Sequence, residues 1–251
     1  MSWKGPKLES LVELMSSPFK FKQFEVHQDR CAMKIGTDGV LLGAWASLES
    51  QPDSILDIGA GTGLIALQMA QRSTAETIDA IELDEGAYEQ CVENFEASPW
   101  ADRLFCYHAG LDEFMDEIED SYDLIVSNPP FYSEEVTSGD ASRDKARQNI
   151  SLPFNELLEG VSKLLSENGL FSVIIPFKEE TEFIGLAEEF GLYPIRITRV
   201  KGNPNTDFIR SMLEFGFLET KPEIDELTIE LERQQYTKDY ISLTKAFYLK
   251  M

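Results

Sequence analysis

Cysteine is scarce. Cys31, Cys91 and Cys106 are the whole complement of a 251-residue chain, odd in number and without a Cys-x-x-Cys spacing. That excludes a disulfide framework and a thiolate zinc site, and points to reduced thiols in a cytoplasmic protein. Long apolar runs are missing as well. Nothing approaches the roughly 18 residues that span a bilayer. Near the start, Leu11-Val12-Glu13-Leu14-Met15 is too short and too charged to be a signal-peptide core. Basic residues are few: 22 Lys and Arg stand against 45 Asp and Glu, a formal net charge of -23. This argues against a nucleic-acid partner, because phosphate contacts need positive groups. The argument is not decisive, since screening over about 8 Å lets a local basic patch act alone. No internal repeat or low-complexity linker divides the chain, so we expect one domain over residues 1–251. Its parts are an N-terminal extension with a strand and a lid-like loop (1–50), a core (51–220) and a C-terminal strand and helix (221–251).

What is present centres on Ser54-Ile55-Leu56-Asp57-Ile58-Gly59-Ala60-Gly61-Thr62-Gly63-Leu64. Ile55, Leu56 and Ile58 read as a buried strand, continuous in apolar character as in a parallel sheet covered on both faces. Gly59, Gly61 and Gly63 allow a sharp turn and close approach of a ligand. An apolar helical face follows. The spacing is not the Gly-x-Gly-x-x-Gly of dinucleotide sites. A second strand, Thr77 to Glu82, ends in an acid about 20 residues past the glycines, where a ribose-binding carboxylate is expected. A ribose without a diphosphate points to S-adenosylmethionine.

The remaining pattern alternates strands and helices. Strands are expected at 19–26, 104–108, 122–127, 170–175, 193–200, 211–219 and 226–231. Helices are expected at 10–16, from about 85 to Pro99, over the acidic run 112–120, and at 153–165 and 181–190. A last helix passes through Tyr240, Leu243 and Phe247. The alternation implies a doubly wound α/β sheet, mostly parallel. The last two core strands follow one another without a helix, so at least one pairs antiparallel. In Lys34-Ile35-Gly36-Thr37-Asp38-Gly39, Thr37 or Asp38 can cap the next helix, or the segment can close over a cofactor. Ser133–Asn149 is polar and charged and reads as a mobile loop or a disordered one.

The fourth core strand, Tyr122-Asp123-Leu124-Ile125-Val126-Ser127, runs into Asn128-Pro129-Pro130-Phe131-Tyr132. Two prolines cannot continue a ladder and fix an elbow at the carboxyl edge, where α/β ligands sit. Such an elbow suits methylation of a planar nitrogen. The Asn128 side-chain oxygen and the Pro129 carbonyl can each accept one N–H of an exocyclic amine. The nitrogen is then drawn toward a pyramidal shape with its lone pair aimed at a methyl donor, and no ionised base is needed. Phe131 offers a face on which an extruded base can stack.

The chain resembles the bacterial tRNA adenine-N6 methyltransferases that modify adenine 37 of valine tRNA. The matching segments include Phe19-Lys20-x-Lys22-Gln23-Phe24, Asp29 to Gly39, Leu56 to Leu64, Ile78 to Glu82, Ser98-Pro99-Trp100-Ala101, Asp123 to Tyr132 and Thr244 to Leu249. The resemblance implies a class I methyltransferase fold, Rossmann-like, with seven mostly parallel strands, an antiparallel last strand and helices on both faces. It implies S-adenosyl-L-methionine as cofactor. Cofactor roles fall on Lys34, Thr37, Asp57, Gly59, Gly61, Glu82 and Asn128. Catalytic roles fall on Asn128, Pro129 and Phe131, and substrate binding on Phe131 and Tyr132. One departure stands out. The acid that the family usually places after the third strand, for the cofactor's adenine amine, is replaced by Ala109-Gly110. Either Asp112 reaches back or a backbone group serves. The implied partner is valine tRNA, met by basic residues at Lys20–Lys34, Arg143–Arg147 and Arg196–Lys201, with no DNA, no membrane, no metal and a monomeric protein. Methylation of a protein glutamine, of guanine N2 in ribosomal RNA, and a non-catalytic RNA-binding module are the competing readings.

Overall fold

The structure is a computed structural model, and it describes residues 17–130 and 152–250. The helix expected at 10–16, the loop 133–149 with Arg143, Lys145 and Arg147, and both Phe131 and Tyr132 lie outside the described residues.

Eight strands form one sheet. In chain order they are β3 (Ser54–Ile58), β4 (Thr77–Glu82), β5 (Leu104–His108), β6 (Tyr122–Ser127), β7 (Leu165–Pro176), β8 (Tyr193–Lys201), β9 (Phe208–Gly216) and β10 (Glu223–Thr228). Their spatial order is β10-β8-β9-β7-β6-β3-β4-β5. Only β9 runs against its neighbours, pairing antiparallel with both β7 and β8. The expected seven strands are therefore present, with β9 antiparallel, and an eighth extends the sheet. β10 begins three residues before the expected 226 and pairs parallel with β8. β7 also starts earlier than expected. Residues 167–169, between the expected helix and the expected strand, are absorbed in an irregular register in which Tyr122 faces Leu165 and Leu124 faces Leu170.

Helices α2 (Leu64–Arg72), α3 (Glu85–Glu96), α4 (Leu111–Glu117), α5 (Phe154–Leu164) and α6 (Glu180–Glu189) connect the strands. They bury their apolar stripes in two cores, one on each side of the sheet. One core holds Ile55, Leu67, Ile78 and Phe95 with Phe21, Phe24, Tyr240 and Phe247; the other holds Leu56, Ile58, Leu158, Phe171 and Phe215. Neighbouring residues of β3 thus face opposite layers, as strand pleating requires.

The N-terminal strand expected at 19–26 is instead a small hairpin, β1 (Phe19–Lys20) with β2 (Glu25–Val26). Phe21 and Phe24 turn inward between them and stack at 4.7 Å between ring centres. Helix α1 (Thr37–Trp45) follows. Residues 39–45 are all buried, so it is an inner helix with no solvent stripe. A second hairpin, β11 (Glu230–Glu232) with β12 (Gln235–Tyr236), leads to helix α7 (Lys238–Thr244). The C-terminal residues close against the first hairpin: Lys22 N–H donates to Phe247 C=O, and Phe21 bridges Tyr248.

Candidate active site

The register of the central strands builds the site. Ile58 of β3 is paired with Ser127 of β6 on one side and with Ile81 of β4 on the other. The next residues, Gly59, Asn128 and Glu82, therefore leave the sheet side by side at its carboxyl edge, at strand spacings of about 4.8 Å. Two hydrogen bonds tighten this edge. Ser127 Oγ donates to Ile58 C=O (2.9 Å), and Gly59 N–H donates to Ile81 C=O (3.0 Å). The edge also lies where chain connections part to opposite sides of β3, the position at which doubly wound sheets bind ligands.

The glycine turn has the backbone that its composition predicts. Gly59, Gly61 and Gly63 have φ of +73°, +55° and +78°. A Cβ on Gly59 or Gly61 would meet nothing within 4 Å, so both border open space. At Gly63 it would lie 2.5 Å from Phe95 and 2.8 Å from Cys91 Sγ, so that glycine serves packing.

Two acids hold the turn. Glu82 is 8% exposed; its Oε2 accepts from Gly61 N–H (2.7 Å) and its Oε1 from Asp84 N–H (2.8 Å). Asp57 is fully buried. Its Oδ2 accepts from Ala66 N–H (3.1 Å), while its Oδ1 has no partner. Burial pushes the Asp57 carboxyl up to about 7. The Ala66 N–H opposes the rise and the Glu82 charge adds to it. An orphaned buried oxygen, two open glycines and a carboxylate rim are a donor set that fits the ribose hydroxyls and ammonium of S-adenosylmethionine.

Asn128 is half-buried and Pro129 buried. A Cβ on Gly39 would stand 3.1 Å from Leu64 Cδ2 and 3.9 Å from Asn128 Nδ2. The start of α1 is thus laid against the elbow, a contact that sequence reading missed. Thr37 and Asp38 do not cap α1. Its N-cap is Gly36, without a side-chain bond. Asp38 instead accepts from Arg210 Nε on β9 (2.7 Å). Thr37 and Lys34 are exposed and bond to no described residue. Thr37 lines a groove with Phe19 and Tyr248. On the other flank, Asp112 Oδ1 lies 2.7 Å from where a Cβ on Gly110 would be. Its carboxylate is folded back over the position at which the usual acid is missing.

His108 Nε2 donates to Leu83 C=O (3.0 Å) and the ring stacks on Tyr88, as an ordinary surface histidine does. Burial pushes the Cys31 thiol up to about 12, with the charges of Glu82, Asp84 and Asp29 adding; burial also raises Cys91. Neither thiol is a nucleophile at neutral pH. The expected basic patch at Arg196–Lys201 is largely neutralised. Arg196 pairs with Glu214, Arg199 with Glu180 and Lys201 with Glu226. Arg30 is likewise held by Glu89 and Glu93.

The strand order, the glycine turn and the acid at the end of β4 define a methyltransferase of the class I fold, whose cofactor is S-adenosyl-L-methionine. The methyltransferase small domain family matches residues 39–196. Among solved structures, a predicted O-methyltransferase from Agrobacterium tumefaciens superposes with a TM-score of 0.63 at 18% identity, over 84% of this chain and 96% of that one. Curated relatives are much nearer in sequence. A tRNA1(Val) (adenine(37)-N6)-methyltransferase of Flavobacterium johnsoniae is 64% identical over 234 residues, covering 93% of this chain and 100% of the relative. Its namesake in Bacteroides fragilis is 45% identical over 239 residues, covering 94% and 100%. The chain belongs to the tRNA1(Val) (adenine(37)-N6)-methyltransferase family.

Proposed function

We propose that this enzyme transfers a methyl group from S-adenosyl-L-methionine to N6 of adenine 37 in valine tRNA. On this reading it works in the cytoplasm, as a monomer and as one methyltransferase domain. The observation that carries the reading is the in-register exit of Gly59 and Asn128 from paired strands β3 and β6. The names of the curated relatives support the same substrate.

Glu82 and the Gly59–Gly61 backbone hold the cofactor's ribose and neighbouring groups, and Asp57 attracts its ammonium. The bound cofactor supplies an electrophilic methyl on a sulfonium. Asn128 Oδ1 and the Pro129 carbonyl each accept one N–H of the adenine amine, which fixes the amine and frees its lone pair. The proton leaves to water after transfer, since an amine held this way presents its lone pair without an ionised base. Phe131 and Tyr132 supply stacking surface for the extruded base.

The test combines product and mutant. Labelled methyl donor is incubated with total tRNA from a strain lacking this protein, and the nucleosides are analysed. N6-methyladenosine in one valine species is the expected product; label in protein alone would favour glutamine methylation. Asn128→Ala should lower kcat by about 10²–10³-fold, the loss seen when one preorganised polar group is removed from a transition state. Cofactor binding should remain. Full activity in that variant would refute the role given to Asn128.

A further inference from the structure

A groove of about 560 Å³ lies between the first hairpin, segment 229–250 and the start of α1. Its walls are Phe19 of β1, Tyr236 of β12, Tyr240 of α7, and Tyr248 and Leu249 of the tail. Ile35, Gly36 and Thr37 form the side nearest the elbow. The catalytic reading makes no use of it. Its volume falls in the range of sites that take a group of nucleoside size.

We propose that this groove receives an unpaired nucleotide of the RNA substrate, next to the adenine that is methylated. The inference rests on the proposed reaction for the word "next". Four observations converge on it. The first is ring surface: Tyr236 is 38% exposed and stands 5.2 Å from Tyr240, ring centre to ring centre, while Tyr248 and Phe19 meet edge-on. Exposed aromatic faces are what single-stranded bases stack on. The second is charge. Segments 17–38 and 229–250, which make up the walls, contain eight Lys and Arg against six Asp and Glu, whereas the whole chain has 22 against 45. Lys250 belongs to the lining itself, as does Lys20, whose ammonium is shared with Glu25 (2.8 Å). The third is the position of Glu230, the one acid among the described lining residues. A carboxylate repels phosphate and accepts N–H from a base edge, so it orients a nucleotide with its base inward and its phosphate toward Lys250. The fourth is location. Gly36 borders the groove and Gly39 borders Asn128. One turn of helix, about 5 Å of rise, separates them.

The readout is an anticodon stem-loop RNA carrying 2-aminopurine on the 5′ or the 3′ side of the target adenine. Binding to the native protein should quench its fluorescence at one of the two positions. Tyr236→Ala should restore the emission and raise the KM for tRNA about tenfold, with kcat within about twofold, in line with the loss of one base–aromatic stack. Tyr236→Phe keeps the ring and should keep both signals. Tyr236 sits on a two-residue exposed strand, so a thermal melt separates any unfolding from lost contact. Unchanged KM and quenching in a folded Tyr236→Ala protein would overturn the groove assignment. If the native protein methylates valine tRNA without quenching either probe, the groove falls and the reaction stands. Quenching without N6-methyladenosine leaves the groove and removes the reaction.

Discussion

Five carboxylates are buried in or against this sheet; Asp79 of β4 accepts from the Tyr122 hydroxyl at 2.6 Å, and the two halves of the sheet treat the other four differently. In the half formed by β7, β8 and β9, Glu214 accepts from Arg196, Ser172 and the Ser47 N–H, and Arg196 lies over the Trp45 ring at 3.8 Å. Glu180 is held by a forked Arg199 and by Ser211. In the half formed by β3 and β4, Asp57 and Glu82 meet only backbone N–H groups, and one Asp57 oxygen meets nothing. A buried charge that has its own guanidinium is a strut. A buried charge left without a cation is costly unless something else comes to it. The difference sets a side of the sheet braced by ion pairs against the side on which the proposed cofactor would meet uncompensated carboxylates.

Breaking a strut should have the largest effect on stability. Glu214→Ala leaves Arg196 without its acid and orphans two further donors. We expect a loss of about 3 kcal/mol, read as a fall in Tm of roughly 10 °C for a chain of this size. Cofactor affinity should be nearly unchanged at temperatures where the variant is folded. Glu82→Gln should behave in the opposite way. Cofactor affinity should fall about 10–100-fold, or about 1.4–2.8 kcal/mol, with less than half the Tm loss of Glu214→Ala. Calorimetric titration and melting of the two variants together test the contrast; equal Tm losses with intact binding in both would erase it.

Asp57 sharpens the comparison through pH. Its folded value, about 7, lies above the ordinary carboxylate value, so the native state binds the proton more tightly than the unfolded chain. The associated stability is fully present below about pH 4 and is lost as pH rises through 7. Between pH 6 and 8 the native protein should lose about 1 kcal/mol from this group. Asp57→Asn should not lose it, and denaturant titrations at the two values measure the difference. Parallel slopes would mean that Asp57 is already ionised when folded. The smallest effect belongs to Gly59→Ala. Nothing occupies the space for its Cβ, so only the left-handed backbone is penalised, at about 1 kcal/mol.

Much of this was legible before any coordinates. The apolar run Ile55–Ile58, the glycines and the acid at 82 gave the crevice, because strand, turn and acid are all local signals. The prolines at 129 and 130 placed the elbow at a strand exit. Other features were misread because their causes lie far along the chain. Asp38 looked like a helix cap, yet its partner Arg210 is 172 residues away. Arg196 and Arg199 looked like a patch for RNA, yet each has an acid brought to it by folding. The run 19–26 alternates as a strand should, but Phe21 and Phe24 gain more by stacking under the tail.

Periodicity, glycine spacing and proline placement already dictated which segments become strands and where they stop, since these depend on a few neighbouring residues. Folding alone settled which exits lie together. Asn128, Gly59 and Glu82 become neighbours only because parallel register aligns Ile58 with Ser127 and Ile81. It also settled which charges are cancelled and which remain open, because pairing depends on distances that chain order does not contain.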